Sequence, residues 1–132
     1  MISDSVIPVI DDPRLQQIMT LLGCDNVEFL TVHVTAQNQP LQCWQNVTDQ
    51  VRKHGGSALE GYHVAFSRNT TKWTAIGHCV WRDVQQIIHD ITPVRPSQMH
   101  VNCFIWGATK IFHNVFFDTV RINYNYPIQR SR

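Results

Sequence analysis

Leu59-Glu60-Gly61-Tyr62-His63-Val64-Ala65-Phe66, the polar segment Ser67-Arg68-Asn69-Thr70-Thr71-Lys72, and Trp73-Thr74-Ala75-Ile76-Gly77-His78-Cys79-Val80-Trp81 form the stretch on which the fold turns. The two flanking runs are rich in β-branched and aromatic residues, and the segment between them is polar, so the pair predicts a wide antiparallel hairpin. Gln86-Ile87-Ile88-His89-Asp90-Ile91-Thr92 adds a third strand, stopped by Pro93. Just upstream lies Cys43-Trp44-Gln45-Asn46-Val47-Thr48-Asp49-Gln50-Val51-Arg52-Lys53-His54, closed by Gly55-Gly56. Its apolar positions, Trp44, Val47 and Val51, make a narrow helical stripe, so the helix should lie on the hairpin with Trp44 and Val47 facing the sheet.

Working outward, residues 1–12 read as an irregular arm punctuated by Pro8. Asp12 caps a helix that begins at Pro13 and runs through Leu15, Ile18, Met19 and Leu22 to Gly23. Glu28 to Thr35 alternates polar and apolar residues and predicts a strand with His33 on its polar side. The loop Ala36-Gln37-Asn38-Gln39-Pro40 then delivers the chain to Cys43. Met99 to Trp106, Lys110 to Phe117 and Thr119 to Tyr126 read as further strands, with turns or bulges at Gly107 and Asp118. The layout is α+β in a single domain spanning residues 1–132.

Composition narrows the function classes. Charged residues are only 16% and the formal net charge is +1, which leaves no basic footprint for nucleic acid. No apolar run approaches the ~18 residues of a membrane span, and no signal peptide is visible at the start, so the expectation is a cytoplasmic protein with no membrane partner. The four cysteines include no C-x-x-C pair, and their density is below that of a disulfide scaffold. No cofactor is implied.

Chemistry enters through the order of a thiol, an imidazole and a carboxylate. A cysteine attacks as thiolate, and the first turn of a helix favours that anion through unsatisfied N–H groups and a partial positive charge. Cys43 occupies such a position. His78, on a strand beside the helix, is placed to take the thiol proton, and Asp90, one strand further, to fix the ring. Cys24, Cys79 and Cys103 read as small apolar core residues.

The same residues carry a resemblance. Cys43-Trp44-Gln45-Asn46-Val47, Gly61-Tyr62, His78-Cys79-Val80-Trp81 and Asp90-Ile91-Thr92-Pro93 resemble the core pattern of transglutaminase-like proteins, a branch of the papain-like thiol enzymes. They also resemble a group of small uncharacterised bacterial and phage proteins with Cys-x-x-Asn-Val, Gly-Gly, His-x-Val-Trp and Asp-x-Thr-Pro in this order. The resemblance implies a papain-like or transglutaminase-like core, with N-terminal helices packed on an antiparallel sheet. It implies Cys43 as nucleophile, His78 as general base and acid, Asp90 as orienter, and Gln37 as an oxyanion donor beside the backbone N–H of the cysteine. The activity implied is that of a thiol hydrolase or acyl transferase on a protein or peptide substrate: peptidase, amidase, deamidase or transferase. Asp-Ile-Thr-Pro in place of Asp-Pro-Thr carries over no particular acceptor.

Three other readings stand beside it. An inactive relative would act as a protein-binding module. His100-Val101-Asn102-Cys103 resembles the Asn-Cys element of permuted papain-like proteases, which would make Cys103 the thiol served by His78, although Phe104-Ile105-Trp106-Gly107 after it reads as a strand. A metal reading draws on His33, His63, His78, His89, His100 and the cysteines, whose spacing matches no familiar ligand set.

Overall fold

The computed structural model describes residues 5–33, 42–67, 69, 72–92, 101–111, 114–118 and 129–131. In chain order the elements are β1 (Ser5–Val6), α1 (Pro13–Leu22), β2 (Asn26–Thr31), α2 (Cys43–His54), β3 (Ser57–Ser67), β4 (Lys72–Arg82), β5 (Ile88–His89), β6 (Val101–Trp106), β7 (Asn114–Asp118) and β8 (Gln129–Ser131). Gln37, Pro93, His100 and the strand expected from Thr119 to Tyr126 lie outside the described residues. Within the arm expected to be irregular, Ser5 and Val6 pair with Ser67 and Phe66.

β3 and β4 form the long hairpin, pairing from Ser57↔Arg82 to Ser67↔Lys72. The path through the sheet runs β2-β6-β3-β4-β7-β8, with every strand pair antiparallel. β4 divides its outer edge between two partners: Lys72–Ile76 meets β7, and Trp81–Arg82 meets β5. The chain leaving β5 then bridges back to the end of β2 through Val32↔Asp90, with the His33 N–H donating to the Asp90 carbonyl at 2.9 Å. Among the described residues, β2, β6, β3, β4 and β5 therefore form a ring closed by that bridge.

This overturns the expected papain-like or transglutaminase-like core with helices packed on a sheet. Among the described residues the chain is mostly antiparallel sheet, curled into a nearly closed barrel, with two helices on it. The physical reason lies in coverage. Helices of 10 and 12 residues are too short to bury a sheet of eight strands, so the sheet covers its own face by bending round.

Both helices follow their sequence signals. The Asp12 carboxylate accepts from the Arg14 N–H at 2.9 Å, Pro13 occupies the first turn, and Gly23 ends α1 in the left-handed conformation. Leu15, Ile18, Met19 and Leu22 pack with Tyr62, Val64, Trp73, Ala75, Cys103 and Ile105 in one core. α2 sits on the far half of β4, where Val47, Cys79 and Ile91 form a second cluster joined by Cys43, Val51 and Trp81. Trp44 corrects the sequence reading: it is 52% exposed, and buried Asn46 shares the inward face with Val47. No described helix is long and apolar enough to cross a membrane.

Along β4 the odd residues Trp73, Ala75, Cys79 and Trp81 face the helices. The even residues then face the inside of the curl. His78 projects there, opposite Gly61. A Cβ on Gly61 would collide with the Ile105 carbonyl and stand 2.7 Å from the Phe104 ring. The bare backbone at this point lets β3 and β6 close beneath His78.

Candidate active site

α2 starts without a side-chain cap: Gln42 makes no capping bond, and the first intrahelical bond runs from the Asn46 N–H to the Gln42 carbonyl. The N–H groups of Cys43, Trp44 and Gln45 thus have no acceptor inside the helix. The backbone N–H groups of Trp44 and Cys79 both favour the thiolate form of Cys43. The topology leaves this stretch of β4 open. Between the β7-paired and β5-paired parts of β4, Gly77–Val80 has no partner on that edge among the described strands.

His78 also supports the thiolate, through hydrogen bonding and through its charge. His78 Nε2 stands 3.0 Å from Asp90 Oδ2, which leaves Nδ1 for the sulfur. Cys43, His78 and Asp90 therefore form one continuous constellation. The bond to Asp90 sets the ring as the Nε2–H tautomer or the imidazolium.

Asp90 is fully buried and held by more than His78. The Asn102 amide donates to Oδ2 at 2.6 Å, and the Thr92 N–H donates to Oδ1 at 3.2 Å. The Thr92 hydroxyl accepts from the Asn46 amide at 3.1 Å, and Asn46 lies one turn after Cys43 on α2. The Cys-x-x-Asn and Asp-x-Thr spacings thus close a loop, from thiol to imidazole to carboxylate to threonine to asparagine and back to the helix that carries the thiol. Each member fixes its neighbour.

The electrostatics favour a charge-separated pair. Burial would raise the Cys43 thiol, but its hydrogen bond with His78, the His78 charge and the two backbone N–H groups outweigh it and hold the thiol below its usual range. Burial would likewise depress His78, yet the bonds to Asp90 and Cys43 and the charges on both lift it to about 9. Asp90 stays below the usual carboxylate range, since the gains from His78, Asn102 and Thr92 exceed the cost of burial. The pair is thereby shifted toward thiolate and imidazolium, beside the Asp90 carboxylate.

The other expected sites fare differently. Cys103 lies in the middle of β6, fully buried, and burial pushes it up to about 12, so it has neither the access nor the charge of a nucleophile. Cys24 is also buried, and burial raises its thiol. Among the described residues no cluster of His, Cys, Asp and Glu suits a metal ion.

Two residues near the site take places that the sequence reading did not give them. Asn102 was visible only as part of an Asn-Cys pair, whereas its amide serves Asp90. His63, buried on the same face of the sheet, has its ring 6.3 Å from that of His78. Burial first, and the His78 charge second, depress it to about 4, so it stays neutral beside the imidazolium. A histidine inside Tyr62-His63-Val64-Ala65-Phe66 breaks an otherwise apolar run, which was the available signal.

Compared with protein-family models, curated proteins and solved structures, the chain matches none, so its functional reading rests on the site itself.

Proposed function

We propose that this protein is a cysteine-dependent enzyme acting on amide-type acyl groups. The observation that supports the reading is the Cys43–His78–Asp90 constellation at the start of α2, with the thiol held low and the imidazole held high. The Cys43 thiolate attacks the carbonyl carbon, and the carbonyl oxygen becomes an oxyanion. The Cys43 backbone N–H, without an acceptor in the helix, is the donor best placed to receive that charge. His78 gives its proton to the departing nitrogen, the carbon–nitrogen bond breaks, and a thioester remains on Cys43. Water or an amine, deprotonated by the now neutral His78, attacks the thioester and frees the thiol. Asp90 holds the ring throughout.

Alkylation of the native protein tests the reading without a known substrate. Iodoacetamide should modify Cys43 well ahead of Cys24, Cys79 and Cys103, at a rate already high below the usual thiol range near pH 8.5. Uniform slow labelling of all four thiols would leave a binding module in place of an enzyme.

A further inference from the structure

Trp81 joins the three stretches of chain that carry the triad. It follows His78 on β4 by an odd number of residues, so its side chain leaves on the opposite face of the strand. Its Nε1–H donates to the carbonyl of Gly55, the residue that caps the end of the Cys43 helix, at 2.9 Å. Its ring stacks on that of His89, with centroids 5.1 Å apart and planes 29° from parallel, and Asp90 is the next residue. We infer that Trp81 is a positioning residue for the Cys43–His78–Asp90 constellation, a clasp that fixes the end of α2 and the strand β5 on β4. The inference rests on reading that constellation as the reacting one, and it gives a role to a side chain that touches none of the reacting atoms.

β5 is where a clasp is needed. The strand has only two residues, paired as Trp81↔His89 and Arg82↔Ile88, which is too short a ladder to hold a strand by its backbone alone. Side chains make up the difference. On one face Trp81 stacks on His89, and His89 Nε2 lies 2.8 Å from Asp83 Oδ2. Successive residues point to opposite faces, so Asp90 leaves on the other face and meets His78 at 3.0 Å. The same two segments carry the clasp on one face and the Asp90–His78 pair on the other. Lifting His89 off the indole would draw the carboxylate off the imidazole.

α2 is the other half. A helix held at one point can swing, and a second point stops it. Near the start of α2 the Asn46 amide donates to the Thr92 hydroxyl at 3.1 Å. From Asn46 to Gly55 the helix runs roughly 13 Å, at about 1.5 Å per residue. The bond from Trp81 pins that far end, and the His54 ring lies 6.4 Å from the same indole. Cys43 sits one turn before the first pin, so the two together set where its sulfur stands against His78. Misplacing reacting groups by about 1 Å is enough to cost a large factor in rate.

The test is the pH profile of Cys43 alkylation by iodoacetamide, measured beside the melting temperature in wild type and variants of the full chain. Trp81→Leu removes both the N–H and the stacking ring. Trp81→Phe keeps a ring for His89 and loses the bond to Gly55, and His89→Leu removes the stack from its other side. Loosening the clasp weakens the support that His78 and Asp90 give the thiolate. In Trp81→Leu the acid limb should therefore move up by about one pH unit, slowing labelling on that limb roughly tenfold. Trp81→Phe and His89→Leu should each move it part of the way, and they decide the matter if Trp81→Leu does not fold. Ile18→Ala is the control. It opens the core under α1, so it should lower the melting temperature and leave the limb in place. A limb unmoved by the clasp variants while their melting temperatures fall makes Trp81 a packing residue and overturns the inference. An equal shift in Ile18→Ala overturns it as well. Either outcome leaves the enzyme reading standing, whereas wild-type labelling with no preference for Cys43 overturns both.

Discussion

At the scale of single residues, the site behaves as one unit, and its variants should do so too. Cys43→Ala and His78→Ala should each abolish turnover, and the double variant should be little worse, because neither residue acts without the other. Asp90→Asn should retain a remnant, since the nucleophile stays while the ring loses its orienting charge. Asn102→Ala tests positioning. It removes a donor from Asp90 at 2.6 Å, so the carboxyl should rise, its hold on His78 should weaken, and the thiolate should lose support. The acid limb of the Cys43 alkylation profile should then move to higher pH, in a protein that still folds. An unchanged profile would reduce Asn102 to packing. Turnover should also fall on the alkaline side near pH 9, where His78 gives up the proton owed to the leaving nitrogen.

At the scale of elements, local signals were legible and long-range ones were not. α1 could be read from its caps, because Asp12, Pro13 and Gly23 act within a few residues of themselves. α2 could be bounded by Cys43 and the glycines at 55 and 56, and the β3–β4 hairpin by its polar turn. The closure of the sheet left no such mark. It depends on a two-residue strand and one bridge between Val32 and Asp90, residues far apart in sequence. Trp44 was misplaced because counting apolar positions ignores a buried asparagine, and Asn46 takes the inward face to reach Thr92. Gly56 illustrates how an element's end reaches the site. Its φ is +81°, a Cβ there would collide with the Arg82 carbonyl and lie 2.9 Å from Trp81 Nε1, and Trp81 donates to the Gly55 carbonyl at 2.9 Å. Gly56→Ala should therefore lower stability by more than the ~1 kcal/mol of a left-handed alanine alone and loosen α2 against β4. A melting temperature equal to wild type would contradict this packing.

At the scale of the whole molecule, the site leaves a signature in how stability depends on pH. With Asp90 and Cys43 beside it, His78 has a folded pKa near 9 against 6.5 unfolded, so its stabilisation is complete below 6.5 and fades as pH rises to 9. Cys43 has the opposite sign. Its folded thiol lies below the unfolded value of 9.0, so its stabilisation grows as pH rises toward 9.0 and is lost as pH falls through the folded value. The two slopes oppose each other wherever the folded thiol is ionised and the ring still protonated, so wild-type stability should vary less with pH there than either group alone would make it. Below 6.5 it should fall, because His63, depressed to about 4, resists protonation that the unfolded chain accepts. His63 alone should account for a loss on the order of 3 kcal/mol by pH 4. Cys43→Ala removes one of the two opposing arms, together with the part of the His78 rise that Cys43 supplies, so that variant should lose stability as pH rises above 6.5, over the narrower window that Asp90 sustains. Denaturant unfolding of both proteins at intervals from pH 6 to about pH 9 makes the comparison. Parallel curves would mean that no proton passes from Cys43 to His78 on folding, and the charge-separated pair would have to be abandoned.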